Sequence, residues 1–302
     1  MPSEFEIYSD TVLFGIRIIF ESNDRKVLDD AVSHYSQRSQ REDIGTTRDV
    51  SVYVVLETYN VSEFVSESAH TDEAGLSIVR DGIFMRADCE RRRGACIFPV
   101  EFCGTEKVRD AIDTVVLFLI AHAGRVPVHA SAVMFGETAV VFAGRSGAGK
   151  SSLALAANRA GYPVLSDDTI FVQTAPDFCV WALPQAIHVL EKDAPAGAQS
   201  SARFRSGRWK RAIPIAVPRH KAERTHLCVL GRASQVSLKE MPEAEAVDAL
   251  TREPEPGYEF YGARATEAVR AIAAGGCSRL LLSGNADAAM AVLATAFAGG
   301  GR

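Results

Sequence analysis

The sequence predicts the α/β fold class, with an α+β segment over residues 1–104 and a larger α/β domain over residues 105–302. Three observations lead there. From Val126 onward, short apolar runs alternate with helical periodicity in the order strand, strand, loop, helix, strand. A glycine-rich loop, 144–151 (GRSGAGKS), stands between an apolar strand and an apolar-faced helix. Ahead of residue 105 the runs are short and rich in β-branched and aromatic residues, with one helical stretch among them.

In the first segment, 11–20 (TVLFGIRIIF) and 50–56 (VSVYVVL) read as strands, and 24–37 between them has helical character. Residues 39–48 (SQREDIGTTR) are polar and read as a loop. Further short strands are expected at 76–79, 83–86 and 95–100, with Asp81-Gly82 as a hairpin turn. Residues 106–123 place Val108, Ile112, Val115, Val116, Leu119 and Ile120 at helical spacing, and this helix is read as the bridge into the second domain. There, 127–134 reads as one strand and 138–143 (TAVVFA) as the next, joined at Gly136-Glu137. The segment 150–160 is a helix stopped by Gly161 and Pro163. Strands follow at 164–167 and 169–173, and in the apolar runs 180–190 and 227–230. Two Ala-rich helices, near 263–274 and 286–298, close the chain, and the Gly-rich residues 299–302 are expected to fray.

The bulk numbers narrow the function classes. The 302 residues fit two domains, 47% are hydrophobic and 24% charged, and the net charge of −5 argues against a general nucleic-acid binder. The first six residues carry no basic stretch ahead of an apolar run. The most apolar stretch, 111–123, contains Asp113 and falls short of the about 20 residues that span a bilayer. The expectation is a cytoplasmic chain without membrane attachment. Cys89, Cys96, Cys103, Cys179, Cys228 and Cys277 form no Cys-x-x-Cys pair, so reduced thiols are expected rather than a zinc site.

The loop Gly144-Arg145-Ser146-Gly147-Ala148-Gly149-Lys150-Ser151, with Ser152 following, fits G-x-x-x-x-G-K-[ST] in full. Glycines let the backbone turn tightly and aim N–H groups at phosphate oxygens. The helix beginning at Lys150 adds the positive end of its dipole. Lys150 supplies a charge for the β- and γ-phosphates, and the Ser151 hydroxyl suits magnesium, a hard cation. The expected ligands are ATP and Mg2+. The plainer reading is a chance glycine-rich turn.

Ser166-Asp167-Asp168 lies 16 residues beyond Ser151. A ten-residue helix carries the chain away by roughly 15 Å and a returning strand covers a similar distance. The aspartates are therefore expected beside Ser151, where Asp167 and Asp168 can hold magnesium and one can act on an incoming hydroxyl. The plainer reading is a solvated turn. His129, on the strand before the loop strand, approaches them if those strands are neighbours; otherwise it is a packed core residue.

Together, Val128-His129-Ala130-Ser131-Ala132, the loop 144–151 and Ser166-Asp167-Asp168 resemble the HPr kinase/phosphorylase catalytic domain and its wider set of HPr kinase-like proteins. The intervals from His129 to Lys150 (21) and from Ser151 to Asp167 (16) are also similar to that family. The resemblance covers residues 125–215 and weakens toward the C-terminus. It implies a P-loop kinase domain of HPr kinase type behind the α+β N-terminal domain, and an ATP-dependent kinase acting on a serine hydroxyl. It implies Asp167 as the catalytic aspartate, His129 beside it, Lys150 and Ser151 on phosphate and magnesium, and Asp168 as the second acid. Two departures stand out. The stretch 184–192 (PQAIHVLEK) lacks the Glu-x-Arg-Gly signature of true HPr kinases, and the N-terminal segment does not look like theirs. HPr as acceptor and the reverse phosphorolysis therefore do not follow. The chain looks more similar to HPr kinase-like enzymes of peptide biosynthesis clusters, some of which, of the lasso-peptide type, phosphorylate a serine of a precursor peptide. HPr kinases assemble as hexamers, so the resemblance also implies a homo-oligomer.

Arg203, Arg205, Arg208, Lys210, Arg211, Arg219, Lys221 and Arg224 crowd one stretch, which reads either as a phosphate- or acceptor-gripping loop or as a solvated one. Lys210 and Arg211, after Trp209, are the expected contacts; Trp181 and Trp209 read equally as core anchors. The leading expectation is a kinase for a serine of a peptide or protein, with the N-terminal domain recognising the acceptor. The alternatives are a small-molecule kinase and a nucleotide-gated binding module without turnover.

Overall fold

The computed structural model describes residues 7–36, 51–59, 66–183, 186–191, 203–205, 208–252 and 261–297. The expected loop at 39–48 and the frayed end at 299–302 lie outside the described residues. The protein is mixed α/β and divides into two compact units, Met1–Arg125 and Val126–Arg302. The sequence reading divided the chain at residue 104. The structure carries the division past the helix that follows, because that helix packs on the sheet of the first unit.

In the first unit, β1 (Ile7–Leu13), β2 (Ile16–Ser22), β3 (Ser51–Tyr59), β4 (Ser68–Thr71), β5 (Gly75–Arg80), β6 (Ile83–Asp88) and β7 (Arg93–Pro99) form one sheet in the order β1-β2-β3-β7-β6-β5-β4. The β2–β3 and β3–β7 pairings are parallel. The run TVLFGIRIIF, expected as one strand, is a hairpin. Phe14 and Gly15 both take positive φ (53° and 70°), and this tight turn folds β1 back on β2. Asp81 and Gly82 make the expected turn in the same way, with φ of 51° and 75°.

The helices α1 (Arg25–Ser36) and α2 (Glu106–His122) lie together on the sheet. Ile16, Ile18, Phe20, Val52, Val54, Leu56, Cys96 and Phe98 are fully buried. A Cβ on Gly94 would come within 2.3 Å of Val115 Cγ1, so α2 sits directly against the backbone of β7. Asp113 on α2 accepts from Tyr35 Oη at 2.6 Å and lies 3.1 Å from His34 Nε2, joining the two helices through polar groups. Arg109 and Asp30 pair at 2.9 Å nearby. Among the described residues no helix is long and apolar enough to cross a membrane.

The second unit is built on a six-stranded sheet. β8 (Val126–His129), β9 (Ser131–Phe135) and β10 (Thr138–Ala143) lead into α3 (Lys150–Arg159), followed by β11 (Val164–Ser166), β12 (Thr169–Gln173) and β13 (Cys179–Ala182). Then come β14 (Ala186–Leu190), β15 (Arg203–Arg205), β16 (Arg208–Pro214), β17 (Lys221–Ala222), β18 (Arg224–Arg232) and β19 (Ser237–Glu240). The chain continues with α4 (Glu243–Thr251), α5 (Gly262–Ala273), β20 (Cys277–Leu282) and α6 (Ala286–Phe297).

The central order is β11-β9-β10-β18-β20-β19, with β10, β18 and β20 parallel. On β10, Val140 and Phe142 pack with Leu153, Ala157, Met290 and Leu293 of α3 and α6. Ala139, Val141 and Ala143 face the opposite way, toward Val247 and Ile272 of α4 and α5. Strand β10 is therefore buried on both faces, which is why its sequence is continuously apolar rather than alternating. A second sheet, β17-β13-β12-β8, contributes Val126, Val128, Ile170, Val172 and Val180 to the core on that latter side. A third, β14-β16-β15, sets Ile187 and Val189 against α3.

The run 127–134 is not one strand. It breaks at fully buried Ala130, β8 pairing with β12 and β9 with β10. Likewise β11 and β12, read as nearly continuous, part at Asp167-Asp168 and join different sheets. All six cysteines are free, and Cys96, Cys179, Cys228 and Cys277 are buried.

Candidate functional site

Strand β10 ends at Ala143 and the loop begins. Gly147 and Gly149 take φ of +81° and +118°, values that favour glycine, and Ala148 N–H donates to Arg145 O at 2.9 Å to close the turn between them. A Cβ on Gly149 would stand 2.9 Å from Leu282 Cδ1, so side-chain bulk is excluded there by both φ and space. Gly149 is the N-cap of α3, whose first residues are Lys150, Ser151 and Ser152. Lys150 is only 7% exposed, and its Nζ donates to Gly144 O at 2.6 Å, which folds the ammonium back over the loop. Ser131 Oγ, on β9, donates to Lys150 O at 3.4 Å. Arg145, Ser146, Gly147 and Ser152 are exposed. A helix N-terminus, turned backbone and a captive ammonium are the physical requirements of an anion site.

The aspartates follow β11. The Ser166 hydroxyl accepts from the N–H groups of Asp168 (3.2 Å) and Thr169 (3.1 Å) and donates to Thr169 O (2.7 Å), fixing the bend that holds Asp167 and Asp168. Asp167 is 6% exposed. Its Oδ2 accepts the His188 N–H at 2.7 Å, while Oδ1 is buried with no hydrogen-bond partner among the described residues. Burial pushes this carboxyl up to about 6, and the nearby Asp168 adds to the rise. The His188 N–H, the Ser151 hydroxyl and Lys210 act the other way without cancelling it. The influence of Ser151 ties Asp167 to the first turn of α3. Asp168 is largely exposed, and its Oδ1 lies 3.6 Å from His129 Nδ1. His129 arrives through the β8–β12 pairing, where it stands opposite Thr169, and not through a strand beside β10.

Lys150, Ser151, Asp167, Asp168 and His129 thus converge. Of the basic segment, Lys210 reaches the field of Asp167, whereas Arg211 pairs with Glu191 at 2.9 Å. Lys221 lies over the ring of Trp181, 5.8 Å from its centroid. Trp181 is a buried anchor whose Nε1 donates to Gln173 Oε1, and Trp209 is 55% exposed. The side chains of Arg203, Arg205 and Arg208 lie outside the described residues, as do 184, 185 and 192 of the stretch 184–192.

Three participants went unread in the sequence. His188 contributes its backbone N–H, Ser131 its hydroxyl, and Arg232 Nη2 donates to Gly147 O at 3.0 Å. Ser131 sits inside the motif that contains His129. Arg232 had no local signal, because it reaches the loop only through the pairing of β18 with β10.

The residues fit a magnesium ion. An orphaned buried carboxylate oxygen, a hydroxyl and a second carboxylate are all hard oxygen donors. Among the described residues no group of three His, Cys, Asp or Glu is arranged to hold a metal by itself, so an ion here would need ligand phosphates or water as well.

No family model matches the chain, and no curated protein matches it. Among solved structures it is similar to the Hpr(Ser) kinase/phosphatase from Coxiella burnetii, at 11% identity and a TM-score of 0.28, over 56% of this chain and 93% of that one. A likeness at that score carries no argument about fold or activity.

Proposed function

We propose that the protein is an ATP-dependent phosphotransferase that moves the γ-phosphate to a serine hydroxyl of a peptide or protein. The observation that supports it best is Asp167: a buried carboxylate, one oxygen fixed by the His188 N–H and the other unpartnered, next to the first turn of the phosphate-loop helix. A buried, unsatisfied carboxylate costs stability, and such costs cluster at working sites. The resemblance of the three motifs to HPr kinase-like proteins points to the same chemistry.

In this reading the amides of residues 147–151 and Lys150 hold the donor's phosphates. Ser151, Asp167 and Asp168 are the residues that would hold magnesium, which supplies neutralisation of phosphate charge when bound. Asp167 Oδ1 accepts the proton of the acceptor hydroxyl as that oxygen bonds to phosphorus and ADP departs. With the carboxyl at about 6, it is charged and ready for that proton near neutral pH. His129 sits beside Asp168 and steadies that acid. Trp209 and Lys210, on the strand paired with β14, offer an aromatic face and a charge to an acceptor segment.

The test is transfer of labelled γ-phosphate, with magnesium, to peptides carrying serine, to HPr and to free serine. Label on a peptide or protein serine, absent with Asp167→Asn, supports the proposal. Label on free serine alone makes the protein a small-molecule kinase. Tight nucleotide binding with no transfer to any of them leaves a nucleotide-gated binding module.

A further inference from the structure

Lys150 controls the inside of the phosphate loop, but the outside is held by a residue from another strand. Strand β18 runs parallel to β10, Ala143 standing level with Val229, so the end of β18 passes beside the loop. A Cβ on Gly144 would lie 3.4 Å from Leu230 Cβ, and one on Gly231 only 2.7 Å from Leu281 Cδ2; the three chain segments are in close contact there. Arg232, the last residue of β18 and exposed to solvent, turns its guanidinium onto the apex of the loop and donates to Gly147 O at 3.0 Å.

Gly147 sits at +81° in φ, a conformation the loop must keep if the amides of residues 147–151 are to converge on one anion. A glycine-rich loop loses much conformational entropy when it is ordered. Carbonyl oxygens on the outer side of the turn are the available handles for preventing that disorder without filling the anion site. Arg232 grips such a handle.

We propose that Arg232 is a positioning residue that holds the phosphate loop in its anion-binding shape before the donor arrives, acting through Gly147 and not by touching the transferred phosphate. This rests on the nucleotide-binding part of the function proposed above. A pinned loop serves any nucleotide that places a phosphate in it, so ATP and ADP should benefit equally. Each pays less ordering entropy on binding, and the chemical step is untouched.

The experiment compares full-length wild type, Arg232→Ala and Arg232→Lys in two measurements. Amide hydrogen exchange of residues 144–151 without nucleotide reads the clamp directly. Titration with ATP and with ADP, and KM against kcat where transfer is observed, reads its consequence. In Arg232→Ala we expect faster exchange of those amides and affinity for both nucleotides lower by roughly tenfold. We also expect kcat within about twofold of wild type, since pre-organised binding changes KM rather than chemistry. Arg232→Lys, which keeps a charged donor, should recover part of both. Unchanged exchange and affinity would overturn the proposal. So would a loss confined to ATP with a fall in kcat, which would put Arg232 on the transferred phosphate. Wild type that binds neither nucleotide would defeat the functional reading, while the exchange comparison would still decide whether Arg232 pins the loop.

Discussion

Replacing Asp167 by asparagine separates what this carboxylate does for the reaction from what it costs the fold. Burial raises the group from its ordinary value near 3.8 to about 6. The folded state then holds the proton more tightly than the unfolded chain, so stability falls as pH rises from about 4 to about 6 and stays lower above that window. At 1.36 kcal/mol for each tenfold change in proton affinity, the charged form costs about 3 kcal/mol near pH 8. Asparagine is neutral at every pH, nearly the same shape, and can still accept the His188 N–H. Its stability relative to wild type should be close to zero near pH 4 and rise to as much as about 3 kcal/mol near pH 8, several degrees in Tm. Thermal unfolding of both proteins across that range provides the measurement, and the difference between them cancels every other titrating group. Phosphoryl transfer by the same variant should drop by about a hundredfold or more. A stability difference that ignores pH, or a variant less stable than wild type near pH 8, would refute the account of a desolvated carboxylate. Transfer at the wild-type rate would refute its role as base.

Other consequences are sharper in one readout than another. Since Asp167 must be charged to take a proton, the transfer rate should rise with pH until the carboxyl is deprotonated and then level off, with the midpoint at or below about 6 because a bound magnesium ion favours the charged form; a rate that falls as pH rises from about 4 to 6 would exclude this group. Lys150→Ala removes the ammonium at the loop and should weaken ATP binding or turnover by roughly a hundredfold, measured by titration and steady-state kinetics. If nucleotide binding and turnover both survive intact, the loop is not a phosphate site. Gly149→Ala meets both a φ of +118° and Leu282 Cδ1 at 2.9 Å, so it should cost about 1–3 kcal/mol and disable nucleotide binding together; a melt identical to wild type would contradict the geometry. Trp209→Ala, at a side chain 55% exposed, should leave stability within about 0.5 kcal/mol while raising KM for a peptide acceptor. An unchanged KM would remove Trp209 from acceptor recognition.

The parts of this molecule that were legible in its sequence are those whose physics is local. The shape of the loop is legible because a tight turn with positive φ at Gly147 and Gly149 calls for glycines, and the strand β10 and helix α3 on either side follow from apolar runs. Asp167 came within reach by counting rise per residue out along α3 and back along β11. The failures are non-local or hinge on one residue. Nothing in TVLFGIRIIF distinguishes a bent pair of strands from a straight one except that Phe14-Gly15 can both take positive φ, and the apolar pattern on each side is the same. The break at Ala130 is equally silent, because β8 and β9 are both buried strands with similar composition and differ only in their partners. The short α4 follows Pro242 in a run mixing Glu and Ala, too brief for a periodic signal. Strand pairing also conceals Arg232, whose 85-residue separation from Gly147 is bridged only by the sheet.

The break at Ala130 carries a consequence for how the protein could diversify. It assigns Ser131 and the loop strand to one sheet, and His129 to another whose partner strand β12 follows the aspartates. In the proposed function, the elements that would grip a donor belong to the six-stranded sheet and α3, and those that would face an acceptor are β8, β12 and β16, with Asp167 at the junction of β11 and β12. Ile187 and Val189 of β14 pack with α3, and the His188 N–H holds Asp167, so a library meant to re-shape the acceptor side on a constant donor platform would keep β14 and vary the exposed Trp209 and its neighbour Lys210 on β16.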